Sequence, residues 1–217
     1  MLLEKIESKI RITRYGYPFI LFGFFLNLLF LLAGVKSLVF ISFLYTVFAV
    51  FFFRDPEREI PQDDSILISP ADGTVLKIES LDTSQYEDVP CTKVSIFMSV
   101  FNVHVNRIPY SGMVKDVRYF PGKFFNASFD KASLDNERNA VLIETETGKS
   151  FWTVQIAGLI ARRIVCNIVP GMKVSKGDRF GMIRFGSRLE LYLPIDSEIF
   201  VKPGDKVSAG SSLICKF

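Results

Sequence analysis

Two apolar runs near the N-terminus constrain this chain more than any other feature. Residues 18–33 and 38–53 carry no charged side chain, and only Gly34, Val35, Lys36 and Ser37 separate them. Uncharged runs this close together predict a helical hairpin closed by a tight turn. Each arm of 16 residues would be about 24 Å long at ~1.5 Å per residue, slightly under the ~30 Å hydrocarbon core of a bilayer. Flanking residues or local bilayer thinning make up such a difference. Lys9, Arg11 and Arg14 precede the first arm, Arg54 and Arg58 follow the second, and Lys36 alone lies at the turn. Because Lys and Arg collect on the cytoplasmic side, both ends of the hairpin are expected there. A secretory signal would show one apolar stretch and a cleavage site, not a second arm.

The sequence changes character at Arg54. Residues 1–54 therefore read as an anchoring hairpin and residues 55–217 as one soluble domain, entered through a polar, proline-marked linker at Pro56 and Pro61. Short β-branched or alternating segments at 65–69, 74–78, 93–98, 140–144, 151–156, 164–169 and 190–193 are bounded by Gly, Pro, Asp or Asn. The expected fold class is mainly β: an antiparallel, barrel-sandwich-like domain behind an N-terminal helical hairpin. The net charge of +3 is too small and too mixed for a nucleic-acid surface. Cys91, Cys166 and Cys215 form no C-x-x-C pair and sit in apolar strands, so they read as buried free thiols, and no metal is expected.

A weak internal repeat supports the β reading. Residues 174–180 (VSKGDRF) recur as 201–207 (VKPGDKV). In each copy the glycine supplies a positive-φ turn residue, the aspartate caps local backbone, and the flanking apolar residues point inward. The pattern is similar to the paired hairpins of lipoyl and biotinyl carrier domains.

The chemistry points to Gly186 and Ser187. A serine hydroxyl can attack the carbonyl just before it when the turn is strained, and a preceding glycine permits that backbone and leaves the carbonyl unshielded. On the residues alone a Gly-Ser step is more often only a turn. His104, the one histidine of the chain, and Asp72 likewise read more readily, by themselves, as a core histidine and a turn cap than as catalytic groups.

Taken together, four further stretches settle the choice: 69–75 (SPADGTV), 97–109 (FMSVFNVHVNRIP), 131–139 (KASLDNERN) and 154–165 (VQIAGLIARRIV). Read with Gly186-Ser187, they make the chain resemble the phosphatidylserine decarboxylase family in its short form, from about Tyr15 to the C-terminus. The resemblance implies a membrane-bound proenzyme, facing the cytoplasm, that cuts itself at Gly186-Ser187 into chains 1–186 and 187–217. Ser187 would become a pyruvoyl group, so no external cofactor is needed. Its ketone would take the amine of an aminophospholipid such as phosphatidylserine and act as electron sink while carbon dioxide leaves. The resemblance makes His104 the proton carrier, with Asp72 orienting and charge-stabilising it. Longer members show His-x-x-His here, whereas this chain has Arg107 three residues after His104.

A phospholipid phosphate calls for cationic donors, and Lys123, Arg162, Arg163, Arg184 and Arg188 lie in or beside the matched stretches. A homo-oligomer is compatible with this reading. The rival reading is a lipoyl- or biotinyl-like carrier or membrane adaptor, suggested by Asp130-Lys131-Ala132. Lys131, however, precedes both copies of the repeat instead of sitting on the turn between them. A serine hydrolase would need a G-x-S-x-G elbow, which Ser187 lacks.

Overall fold

The structure, a computed structural model, describes residues 11–159, 163–184 and 186–216. It divides into two compact units, one ending at Glu57 and one beginning at Arg58.

In the first unit, strand β1 (Arg11–Ile12) leads through a 3-10 turn at Arg14–Gly16 into helix α1 (Tyr17–Leu32). Helix α2 (Lys36–Phe52) returns and strand β2 (Arg54–Asp55) pairs with β1. The expected hairpin is present, with Pro18 in the first turn of α1, where a proline is tolerated. Gly34 sits at φ +72 and closes α1 with two bonds, Gly34 N–H to Leu31 O and Val35 N–H to Phe30 O, both 3.1 Å. This is the Schellman arrangement, which satisfies carbonyls left open at a helix end.

The hairpin is organised inside out relative to a soluble helix pair. Its facing seam is small and polar: Gly23 lies against Thr46, and Asn27 Nδ2 donates to Val39 O at 2.9 Å and to Ser42 Oγ at 3.1 Å. Phe24, Leu28, Phe40 and Phe43 point outward and are more than half exposed.

The second unit is a curled antiparallel β structure. Its strands in chain order are β3 (Ile66–Ile68), β4 (Gly73–Leu81), β5 (Cys91–Met98), β6 (Val105–Arg107) and β7 (Gly112–Phe120). A short helix α3 (Ala132–Asp135) precedes β8 (Arg138–Glu144), β9 (Ser150–Ala157) and β10 (Ile164–Cys166). Then come β11 (Lys173–Val174), β12 (Arg179–Ile183), β13 (Ser187–Pro194), β14 (Glu198–Ile199), β15 (Lys206–Val207) and β16 (Leu213–Lys216).

Eight strands form the main sheet in the order β11-β7-β8-β9-β13-β5-β4-β15. Two three-stranded sheets, β10-β12-β6 and β14-β16-β3, complete the unit. The core lies on one face of the main sheet, where Leu189, Leu191 and Leu193 of β13 meet Val94, Ile96, Val141, Ile143 and Phe180. Tyr86, Trp152 and Tyr192 pack ring to ring in a smaller cluster.

Both copies of the repeat form the turns expected of them. Gly177 and Gly204 have φ of +89 and +95. Asp178 accepts from the Ser175 N–H and Asp205 from the Lys202 N–H, each at 2.9 Å. Cys91 and Cys215 are buried free thiols, and Cys166 is half-buried.

Candidate active site

Ser187 opens β13, the strand that lies between β5 and β9, and its register partners are Met98 at the end of β5 and Ala157 at the end of β9. The side chain is fully buried. Its hydroxyl donates to the Met98 thioether at 3.4 Å, a weak acceptor that leaves the hydroxyl hydrogen easily surrendered. Just before it Gly186 holds φ +65, a left-handed conformation that costs an ordinary residue about 1–2 kcal/mol. Strand β12 belongs to a different sheet from β13, and Gly186, directly before β13, takes the positive φ that glycine adopts without a Cβ penalty.

His104 lies between the turn at 99–102 and β6. Asn102 fixes that turn by accepting from the Ser99 N–H at 2.9 Å and the Ser99 hydroxyl at 2.8 Å. Its own carbonyl then stands 2.9 Å from His104 Nδ1. A carbonyl only accepts, so in the neutral ring the proton sits on Nδ1 and Nε2 keeps the lone pair. His104 is fully buried, and its carbonyl accepts from the Ile183 N–H at 3.4 Å. Ser187 is thus opposite the last residue of β5, and His104 follows in the connection that leaves that strand.

Asp72 precedes β4 at the same end of β5, since Thr74 pairs with Phe97. The structure gives its carboxylate two partners: Arg58 at 2.8 Å and the Ala209 N–H at 2.7 Å. It therefore joins the first residues of this unit to the last turn, while Asn102 is the group that holds His104 Nδ1. Arg107 is buried and donates to Gly177 O at 3.0 Å.

The candidate cations separate into two kinds. Arg188 is buried and held by Glu190 at 3.0 Å, Ser95 Oγ at 2.8 Å and Phe129 O at 3.3 Å. Strand periodicity explains this: Arg188, Glu190 and Tyr192 alternate with Ser187, Leu189 and Leu191 and take the opposite face. Lys123 and Arg163 are exposed and Arg184 is half-buried, and the Arg184 N–H approaches Arg163 O at 3.5 Å. Arg162 lies outside the described residues.

Three residues that the sequence reading did not single out belong to the surroundings of Ser187 and His104. Met98 contacts the Ser187 hydroxyl, and Asn106 Nδ2 approaches the same sulfur at 3.8 Å. Behind Asn106 runs a buried amide chain, with Gln155 Nε2 donating to Asn106 Oδ1 at 2.9 Å and Asn139 Nδ2 to Gln155 Oε1 at 3.2 Å. Asn102 is the third. The only signal for Asn106 in the sequence was its place two residues after His104.

A sequence model described as phosphatidylserine decarboxylase matches residues 45–215. The chain is 49% identical over 207 residues to the phosphatidylserine decarboxylase proenzyme of Syntrophus aciditrophicus (strain SB), a match covering 95% of this chain and 97% of that protein. Over 209 residues it is 46% identical to the same-named protein of Desulfotalea psychrophila, covering 96% and 98%. With that of Rickettsia akari (strain Hartford) the identity is 48% over 210 residues, covering 95% and 90%.

Proposed function

The chain belongs to the phosphatidylserine decarboxylase family, and on that premise we propose that it is a self-cleaving, pyruvoyl-dependent proenzyme that converts phosphatidylserine to phosphatidylethanolamine and carbon dioxide. The observation that carries this reading is the pairing of a left-handed Gly186 with a fully buried Ser187 at the head of the central strand. Nothing in the surroundings of Lys131 favours the carrier reading: the residue stands at the N-cap position of the short helix α3 and its ammonium lies 4.2 Å from the centre of the Phe125 ring.

In the cleavage step Ser187 Oγ bonds to the Gly186 carbonyl carbon, the peptide C–N bond breaks, and the hydroxyl proton ends on the Ser187 nitrogen. His104 Nε2 is the base for that transfer, because Nδ1 is committed to Asn102. Loss of the Ser187 α-proton then expels the Gly186 carboxylate. Hydrolysis with release of ammonia leaves a pyruvoyl group on the chain 187–217. That group supplies an electron sink for the departing carboxylate. Asp72, paired with Arg58 at 2.8 Å at the same end of β5, is proposed to orient and charge-stabilise His104 from that side. Burial favours both stages, since a water-poor site strengthens each polar interaction.

Lys123, Arg163 and Arg184 are the cations proposed to meet the lipid phosphate, with Arg163 and Arg184 on adjoining backbone two residues from Gly186. The hairpin is proposed to span the cytoplasmic membrane with both ends inside. Its exposed Phe and Leu faces and its small polar seam suit lipid outside and helix contact within. Release of labelled carbon dioxide from carboxyl-labelled phosphatidylserine in mixed micelles tests the proposal. Wild-type protein should release it and Ser187→Ala should not; an active Ser187→Ala chain would refute it.

A further inference from the structure

We infer that Gly158 is a positioning residue for self-cleavage: it is the seat of the scissile carbonyl. A Cβ placed on Gly158 would fall 1.9 Å from the Gly186 carbonyl oxygen and 3.0 Å from its carbon, with Ala127 Cβ 3.3 Å away on another side. The carbonyl that Ser187 must attack therefore rests on the bare α-carbon of Gly158, one residue beyond the register partner of Ser187. This inference rests on the reading that Gly186-Ser187 is the bond cut.

The two glycines are needed for different reasons. Gly186 holds a positive φ with nothing within 4 Å of a Cβ, so its backbone conformation demands glycine. Gly158 has no such φ, so it demands glycine purely for space. A methyl there would push the Gly186 carbonyl away by about 1 Å or more, a displacement that costs a positioned reaction roughly 100-fold. Comparable crowding exists at Gly112, whose Cβ would fall 2.3 Å from Glu144 O. There the carbonyl belongs to strand β8, paired along its length, and has no part in cleavage. Gly112 is thus a matched steric control.

The test uses the full chain purified in detergent, following the fragment ending at Gly186 by intact mass over time. Gly158→Ala should cut roughly 100-fold more slowly than wild type, and hydroxylamine, which opens an ester at the Gly186 carbonyl, should free no fragment from it. Gly112→Ala should cut at a rate near wild type. Melting of Ser187→Ala with and without Gly158→Ala, neither of which can be cut, measures the burden on the fold. Gly158→Ala cutting at the wild-type rate overturns the inference. So does a large loss of melting temperature in the double variant, because the fold and not the carbonyl would then have absorbed the methyl. A wild-type chain that never yields a fragment ending at Gly186 instead overturns the cleavage reading on which the inference rests.

Discussion

His104 Nδ1 stands 2.9 Å from the carbonyl oxygen of Asn102, a residue only two positions earlier in the chain. That contact turns a fully buried imidazole into a ring with one defined basic nitrogen. It also makes the tautomer a property of the 99–102 turn, which Asn102 fixes through its side chain.

The first prediction follows from that turn. His104→Ala should leave the chain uncut, since no other imidazole exists in the sequence. Asn102→Ala should slow cutting by about 10- to 100-fold, because the carbonyl remains but the turn that aims it loses two hydrogen bonds of ~1 kcal/mol each. Fragment yield against time checks both, and a fast Asn102→Ala chain would mean that the turn does not set the ring.

Gly186 supplies the second. Alanine at φ +65 is strained by about 1–2 kcal/mol, while asparagine tolerates that region far better. Gly186→Asn should therefore be cut faster than Gly186→Ala, read from the same time course. The reverse order would show that conformation is not what glycine provides at this position.

The third concerns the buried ion pair of Arg188 and Glu190. Glu190 also accepts from Ser95 at 3.2 Å, from Tyr192 at 2.9 Å and from the Ser133 hydroxyl. Glu190→Gln leaves the guanidinium buried without its counter-charge, a loss of about 3–5 kcal/mol. Because β13 begins with Ser187, this variant should also cut poorly. Denaturant unfolding of the full chain in detergent measures the stability, and a loss below ~1 kcal/mol would contradict the assignment.

A fourth prediction is a loss of stability at high pH. Burial pushes the Cys215 thiol from its ordinary 9.0 up to about 12, and burial also raises the Tyr86 and Tyr192 phenols, with the nearby Glu190 carboxylate adding to both. A raised value means that the folded state holds the proton longer. The stability is complete below the unfolded value and falls as pH climbs from about 9 towards 12. Unfolding midpoints should drop across that window, and Cys215→Ala should flatten part of the drop.

Much of this was legible in the sequence because it rests on local chemistry. The hairpin is written in two uncharged runs, and the turns at Gly177 and Gly204 in a glycine followed by a capping aspartate. Strand β7 was not legible: a bulge between Val114 and Asp116 breaks the alternation that would have marked it. Nor was the partnership of Asp72 with Arg58 and Ala209, 14 and 137 residues away in sequence. Arg188 drew attention by standing next to Ser187, yet the two-residue period of a strand sends it to the opposite face. Gly158 lies within the stretch 154–165, but its role depends on a carbonyl 28 residues later, which only the fold brings to it.

The most direct test of the account is denaturing intact-mass spectrometry of the purified wild-type chain. The account predicts two species, 1–186 and 187–217, the shorter one blocked by a pyruvoyl group in place of Ser187. A wild-type preparation that catalyses decarboxylation while remaining a single uncut chain with an unmodified Ser187 would contradict it.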